Sequence, residues 1–251
     1  MGNKNLCIIQ ARVGSTRLPG KVLKMVGEQT LLEREVDRVN LAKKIDKIVI
    51  ATTINKEDDE IEILCQKIGL DCYRGSAEDV LERYYQCARQ YSEYENIIRI
   101  TGDCPLIDPI VIDQVIDFFT KNNFDYASNV NPVTFPDGLD IEVFKKDVLS
   151  RTNKEAEIFS DREHVTQYMR KDSKNKIGNF FNTKDYSNYR LTVDELEDLE
   201  VVKFIIKNSQ PNASYLDYVN LLDKHLEIKN KNKHIARNEG LTKSLAKDKK
   251  I

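Results

Sequence analysis

Residues 8–21 carry an apolar run into a segment with two glycines (Gly14 and Gly20), two hydroxyls (Ser15 and Thr16), a proline and three cations, Arg12, Arg17 and Lys21. Glycine lets the backbone enter turns closed to other residues and approach an anion closely. Successive N–H groups in such a turn form an anion-binding concavity. Arginine adds forked donors and lysine a compact charge, both suited to phosphate oxygens. Three cations in one short loop repel each other unless an anion comes between them, so the pattern predicts a polyphosphate-gripping loop. It is not a P-loop: one residue too many separates Gly14 from Gly20-Lys21, and Val22 stands where that motif needs a hydroxyl. The G-x-G-x-x-G spacing of a dinucleotide fingerprint is also absent.

Polyphosphate chemistry in water needs a divalent cation, held through one or two carboxylates and phosphate oxygens. Asp103 follows an apolar run and Gly102, and Asp194 ends Leu191-Thr192-Val193 just before a helical pattern. Each has a second role open to it. Asp103 can cap the turn before Pro105, and Asp194 can cap the helix, with Glu197 completing a capping-box spacing. Asp137, Asp140 and Glu142 form a third acidic cluster, and strand alternation puts Asp140 and Glu142 on one face. There they bind sugar hydroxyls or assist the metal, or they form a solvated strand face. Arg162-Glu163-His164 opens a helix, which makes Arg162 and His164 an anchor for a carboxylate or phosphate; a lone histidine is otherwise structural. His225 and His234 have no metal-ligand spacing, and no Ser/His/Asp or Cys/His nucleophilic set is present.

Strands at 6–11, 48–52, 72–73 and 97–100 alternate with helices at 31–42, 58–68, 77–91 and 109–119. That order predicts a parallel sheet covered by helices on both faces, with ligands beyond the carboxyl ends of the strands. The cationic loop and Thr101-Gly102-Asp103 both fall at that edge. The second half is less regular: strands at 126–128, 139–144, 177–180 and 189–193, helices at 161–170, 195–207 and 215–222, and a turn at Pro136-Asp137-Gly138. From 229 the chain is rich in lysine and asparagine, and 247–251 is expected as a solvated tail. A chain of 251 residues suffices for one well-buried domain. Its net charge of −2 argues against general nucleic-acid or membrane binding. Five scattered cysteines without C-x-x-C spacing read as reduced thiols of a cytosolic protein. No apolar run has membrane-spanning length, the N-terminus lacks a signal-type core, and Leu6 spoils the myristoylation pattern of Met1-Gly2. The expectation is a soluble, cytoplasmic protein.

The segment at 8–21 resembles the signature loop of cytidylyltransferases that activate 3-deoxy-ulosonic and nonulosonic acids, above all the SpsF-like branch. Further segments resemble that pattern in the right order: Tyr73-Arg74-Gly75-Ser76, residues 99–108, 136–144, Arg162-Glu163-His164-Val165-Thr166, Leu191-Thr192-Val193-Asp194 and Arg237-Asn238-Glu239-Gly240. The resemblance implies a Rossmann-like α/β/α sandwich of the nucleotide-diphosphosugar transferase type. It spans one domain at 1–246, with a nucleotide-binding half (1–124) and an acceptor-binding and dimerisation half (125–246). It implies attack of a substrate oxygen on the α-phosphorus of CTP, with release of pyrophosphate. By the same resemblance Ala11, Arg12, Gly14, Ser15, Thr16, Arg17 and Lys21 would line the triphosphate, and Arg12, Lys21 and Asp103 would be the catalytic groups. Asp103 and Asp194 would hold Mg²⁺, while Arg74, Gly75, Ser76 and Thr101 would lie near the nucleoside. Asp137, Asp140, Glu142, Arg162 and His164 would meet the acceptor, a sugar acid or, alternatively, a sugar phosphate or phosphonate. A homodimer is expected. Thr101 departs from the glutamine of better-known relatives, which leaves cytosine selectivity to other residues, and Leu196 replaces a usual proline. A nucleotide-binding protein without catalysis would need no pair of metal carboxylates.

Overall fold

The computed structural model describes residues 3–248. In β1 (Asn5–Gln10), Leu6, Cys7, Ile8 and Ile9 are fully buried, as in a strand covered on both faces. Their side chains alternate between two cores, Cys7 and Ile9 in one and Leu6 and Ile8 in the other. A short hairpin, β2 (Met25–Val26) and β3 (Gln29–Thr30), leads to α1 (Leu31–Asn40). There the Thr30 hydroxyl accepts from Glu33 N and the Glu33 carboxylate accepts from Thr30 N, a capping box that fixes the helix start. The alternation continues through β4 (Lys47–Thr53), α2 (Asp59–Ile68), β5 (Asp71–Gly75), α3 (Val80–Gln90), β6 (Asn96–Thr101) and α4 (Pro109–Lys121). Asp108 caps α4 with Pro109 at its first position.

With β7 (Tyr126–Ser128), β8 (Glu142–Lys145) and β9 (Ile177–Asn179), the sheet runs β5-β4-β1-β6-β8-β7-β9. Only β8 is antiparallel to its neighbours, so the expected mostly parallel α/β sandwich is what forms. The chain leaves β1 for β4 and β5 on one side and returns to β6 on the other. The crevice beyond the carboxyl ends of β1 and β6 is therefore the topological switch point. Gly102 lets the two loops meet there. Its N–H donates to Gln10 O at 2.8 Å, and a Cβ would sit 3.0 Å from both Gln10 O and Ala11 Cβ.

The second half departs from expectation at several places, among them the unforeseen short helices at Leu226–Lys229 and Glu239–Leu245. Residues 139–141 do not join β8, because the Asn129 side chain takes their polar groups: its Nδ2 donates to Leu139 O and its Oδ1 accepts from Ile141 N. α5 (Lys146–Glu155) was not foreseen; it buries only Val148, Leu149 and Thr152 in an otherwise polar stretch. The expected helix at 161–170 is two, α6 (Phe159–Glu163) and α7 (Gln167–Lys171), broken where Val165 takes φ 63°. That left-handed conformation is costly for a β-branched residue. Residues 189–193 form no strand. Leu191 N bonds Asp137 O and Val193 N bonds Asp103 O, so the segment divides its backbone between two loops. α8 (Leu196–Asn208) is capped by Glu195 boxed with Asp198, not by Asp194 with Glu197.

α9 (Tyr215–Lys224), α10 (Leu226–Lys229) and α11 (Glu239–Leu245) complete the chain. The expected solvated tail is fastened where it is described, since Asp248 accepts from Ser160 N and Oγ. Residues 249–251 and Met1-Gly2 lie outside the described residues. The five cysteines are unbridged, and among the described residues no helix is long and apolar enough to cross a membrane.

Candidate active site

The cationic loop is shaped from inside and pinned from behind. Ser15 N and Gly20 N both donate to Val13 O, at 2.7 and 3.0 Å. Gly20 turns left-handed at φ 66° to start the short helical turn Lys21–Leu23, a conformation natural to glycine. Val13 N donates at 2.7 Å to Asp58, a fully buried carboxylate that also takes the Thr53 hydroxyl.

That turn aims Lys21 at the acids. Its Nζ lies 2.8 Å from Asp103 Oδ2 and 2.8 Å from Asp194 Oδ1. Burial alone would lower the lysine pKa, but the two carboxylates outweigh it and hold the ammonium above its ordinary range. Burial would likewise raise Asp103, yet Lys21 pulls it down to about 2. Arg17 meets Asp194 at 3.1 Å, Glu195 at 3.1 Å and Glu239 at 3.2 Å. Asp194 Oδ2 also accepts from the buried Arg190, which bonds Asp137 at 2.6 Å and Asp198 at 2.8 Å. Because Asp198 takes the backbone N–H groups of Asp194 and Glu195, the Asp194 side chain is left to the cations.

The acidic cluster beside this centre has two characters. Asp137 and Asp140 face Arg237, which bonds Asp140 and lies 3.7 Å from Asp137. Burial and neighbouring Asp140 push Asp137 up to about 6. Glu142 is sealed at 3 % side-chain exposure between Arg99 and Arg170, and accepts from the Tyr126 and Thr166 hydroxyls at 2.6 Å. It orients groups around it and has no face toward solvent. Arg162 is similarly engaged, with Asp79 at 2.6 Å and the Asn153 and Ala156 carbonyls at 3.0 Å. His164 Nε2 is 3.0 Å from Ser244 Oγ, and burial lowers its pKa. Arg74 bonds the Thr53 and Asn55 carbonyls, Asp59 and Glu62, bracing the β4–α2 connection that carries Asp58.

Of the residues singled out from sequence, Arg17, Lys21, Asp103 and Asp194 thus converge on one centre, with Asp137 linked to it through Arg190. Arg12 stands exposed at the same edge, unpaired among the described residues. Ser76 Oγ accepts from Asp79 N, and Thr101 Oγ1 lies 3.5 Å from Cys104 Sγ. Sequence reasoning missed Asp58, Arg190, Asp198 and Glu239, which position or neutralise these groups. Glu35 was missed too: fully buried, it accepts from Cys104 N at 2.9 Å behind Asp103. A cavity of about 550 Å³ opens elsewhere, at the opposite end of the sheet between α3 and α5. At the carboxyl edge the side chains of Arg17, Asp103, Asp194 and Glu195 are ion-paired and remain partly exposed.

A cationic loop facing two aspartates at the switch point of a mostly parallel sheet is an arrangement for handling phosphate esters, on the nucleotidyltransferase fold. The cytidylyltransferase family model matches residues 6–239. The chain is 35 % identical over 234 residues to the spore coat polysaccharide biosynthesis protein SpsF of Bacillus subtilis, covering 89 % of this chain and 95 % of that one. It is 38 % identical to an uncharacterised protein of Methanocaldococcus jannaschii, over 92 % and 96 % of the two chains. A cytidylyltransferase structure from Leptospira borgpetersenii superposes with a TM-score of 0.87 at 35 % identity, over 94 % of this chain and all of that one. The protein belongs to the cytidylyltransferase family, in its SpsF-like branch.

Proposed function

We propose that the protein transfers CMP from CTP to a sugar acid of the ulosonic or nonulosonic type, releasing pyrophosphate, in the synthesis of a surface polysaccharide. The observation that carries this reading is the position of Lys21 Nζ, 2.8 Å from both Asp103 and Asp194. Two carboxylates from different segments converge on one cation-sized position next to the phosphate-type loop. The donor set fits Mg²⁺, which takes one or two protein carboxylates and draws its remaining ligands from water and phosphate oxygens. Among the described residues no third His, Cys, Asp or Glu completes a protein-only cage, consistent with an ion that arrives with its nucleotide.

In this reading Asp103 and Asp194 hold the ion, which supplies charge neutralisation at the phosphate oxygens. Lys21 and Arg17 exchange carboxylate partners for the triphosphate. The loop N–H groups and Arg12 fix the phosphorus for in-line attack by the acceptor oxygen, so positioning and charge carry the catalysis. The sugar-acid acceptor is supported by relatives. A protein of Hydrogenovibrio crunogenus that is 29 % identical over 78 % of this chain is named 3-deoxy-manno-octulosonate cytidylyltransferase 2, while the name of SpsF supports the polysaccharide pathway. Action in the cytoplasm, as a homodimer through the second half, completes the proposal.

The test is a pyrophosphate-release screen crossing the four nucleoside triphosphates with sugar acids and sugar phosphates, each with Mg²⁺ and with EDTA. Metal-dependent release with CTP and a sugar acid is expected. Release only with sugar phosphates would reassign the acceptor, and release undiminished in EDTA would remove the metal role.

A further inference from the structure

Every arginine discussed at the carboxyl edge except two has a carboxylate partner: Arg17, Arg74, Arg162, Arg190 and Arg237 are all ion-paired. The exceptions are Arg12 and Arg83. Arg83, on α3, is only 2 % exposed, and among the described residues no acid lies within ion-pair reach of it. Its Nη1 donates to Ser76 O at 2.5 Å, and its Nε has no partner. The nearest acids are committed elsewhere. Asp58 holds Val13 N and Thr53, and Asp79 holds Arg162 and Glu82 N. Burial lowers the Arg83 pKa and the Arg12 cation adds to that, with Tyr84, Asp58 and Asp79 only partly offsetting them.

A buried cation without an ion-pair partner is a costly arrangement, and local sequence is shaped to allow it. At Gly75 a Cβ would lie 3.1 Å from Arg83 Cγ and 2.8 Å from the Tyr73 ring. The glycine therefore makes room for the arginine stem to pass beneath the β5–α3 loop and reach Ser76. Arg12 approaches from the loop after β1. Arg83 sits in the first turn of α3 and bonds the loop after β5, so the two residues border the two loops that flank β4 at its carboxyl end.

We propose that Arg83 is a nucleotide-binding residue that, together with Arg12, takes a phosphate group of the nucleoside triphosphate between the β1 and β5 loops. The assignment rests on the nucleotidyltransferase reading above and adds to it a contact from α3. Arg17 and Lys21 must first be released from acids, whereas Arg12 and Arg83 have no ion-paired carboxylate to give up among the described residues. Arg83 acts on the phosphate directly through its fork and secures the β5–α3 loop through Ser76.

The experiment measures CTP, CMP and cytidine binding to the full chain by calorimetry in EDTA, with thermal melts, for wild type, Arg83→Met, Arg83→Lys, Arg12→Ala and the Arg12→Ala/Arg83→Met double variant. Arg83→Met should weaken CTP binding about tenfold or more, as for loss of a charged hydrogen bond, and leave cytidine binding unchanged. Arg83→Lys should recover part of the loss. The double variant should lose less than the product of the single losses, because both groups hold one anion. Without ligand, Arg83→Met should melt close to wild type, since losing the bond to Ser76 is set against removing a buried charge that is only partly offset, while the stabilisation by CTP shrinks. Unchanged CTP affinity in Arg83→Met, or a proportionate loss for cytidine, overturns the phosphate assignment. A lower melting temperature with the CTP stabilisation intact makes Arg83 a structural strut instead. Wild-type protein that binds no nucleoside triphosphate overturns the functional reading as well, which separates that failure from failure of Arg83 alone.

Discussion

Asp194→Asn should move two measurements in opposite directions. In the ligand-free protein Asp194 accepts from Lys21 at 2.8 Å, Arg17 at 3.1 Å and Arg190 at 2.8 Å. A triphosphate that binds without metal must draw Lys21 and Arg17 away from it. At such distances an effective dielectric near 20 gives several kcal/mol of attraction per contact before desolvation. The net worth of a charged hydrogen bond is about 1.5–3 kcal/mol, and the side chains of Arg17 and Asp194 are 29 % and 22 % exposed, which weakens it further. Asp103, Glu195 and Glu239 remain to hold the same cations, so the released free energy is about 1.4 kcal/mol, or tenfold. Calorimetry in EDTA should therefore find CTP bound about tenfold more tightly by the variant. With Mg²⁺ the sign reverses: one of two metal carboxylates is gone, and pyrophosphate release should fall at least about a hundredfold. A variant with wild-type affinity in EDTA and near-normal turnover in Mg²⁺ would refute both the competition and the metal assignment.

Glu142→Gln should act on stability before it acts on the acceptor. It leaves Arg99 and Arg170 partly buried without their carboxylate, a loss of about 3–5 kcal/mol and roughly 6–20 °C in melting temperature for a chain of this size. Despite burial, Arg170 and Arg99 hold the Glu142 carboxyl well below its usual range. Its stabilisation is therefore complete above about pH 4.3, the unfolded value, and is lost as pH falls toward the folded one. Wild type should lose stability there and the variant should lose less; parallel acid-denaturation curves would refute the pairing. Asp58→Asn weakens the side-chain hold on Val13 N and should cost about 1–3 kcal/mol. Because that hold shapes the phosphate loop, KM for CTP should rise severalfold in a steady-state assay, and an unchanged KM would show that the loop keeps its form without it.

What the sequence disclosed and what it hid divide along a physical line. Leu6, Cys7, Ile8 and Ile9 announce a doubly covered strand because each position is apolar, and Thr30 with Glu33 announces a helix start because capping is local. The loop cations and the two aspartates were readable because their chemistry is unusual for such positions. The second half resisted because its backbone is organised by side chains from far away. Asn129 ends β8 by bonding Leu139 and Ile141, and residues 189–193 are claimed by Asp137 and Asp103. Val165 breaks a helix with no glycine or proline to mark the place. Buried charged groups were the other blind spot: Asp58, Arg83 and Arg190 look in sequence like ordinary solvated charges, and only tertiary contact reveals their burial.

The same contacts explain why the site can exist without its ligand. Lys21 and Arg17 would repel each other across a narrow crevice, and Asp103, Asp194, Glu195 and Glu239 supply the negative charge in place of phosphate. Glu195 starts α8 and Glu239 starts α11, so the loop after β1 is tied to both elements through a single guanidinium. The last segment is also tied to the acidic cluster and α6, where Arg237 bonds Asp140 and Ser244 bonds Glu163 and lies beside His164. On the proposed reading, a triphosphate that captured Arg17 would release Glu239, and with it one of the fastenings of the segment that lies against Asp140 and His164. The side proposed for the nucleotide and the side proposed for the acceptor are thus joined by a chain of discrete ion pairs and hydrogen bonds.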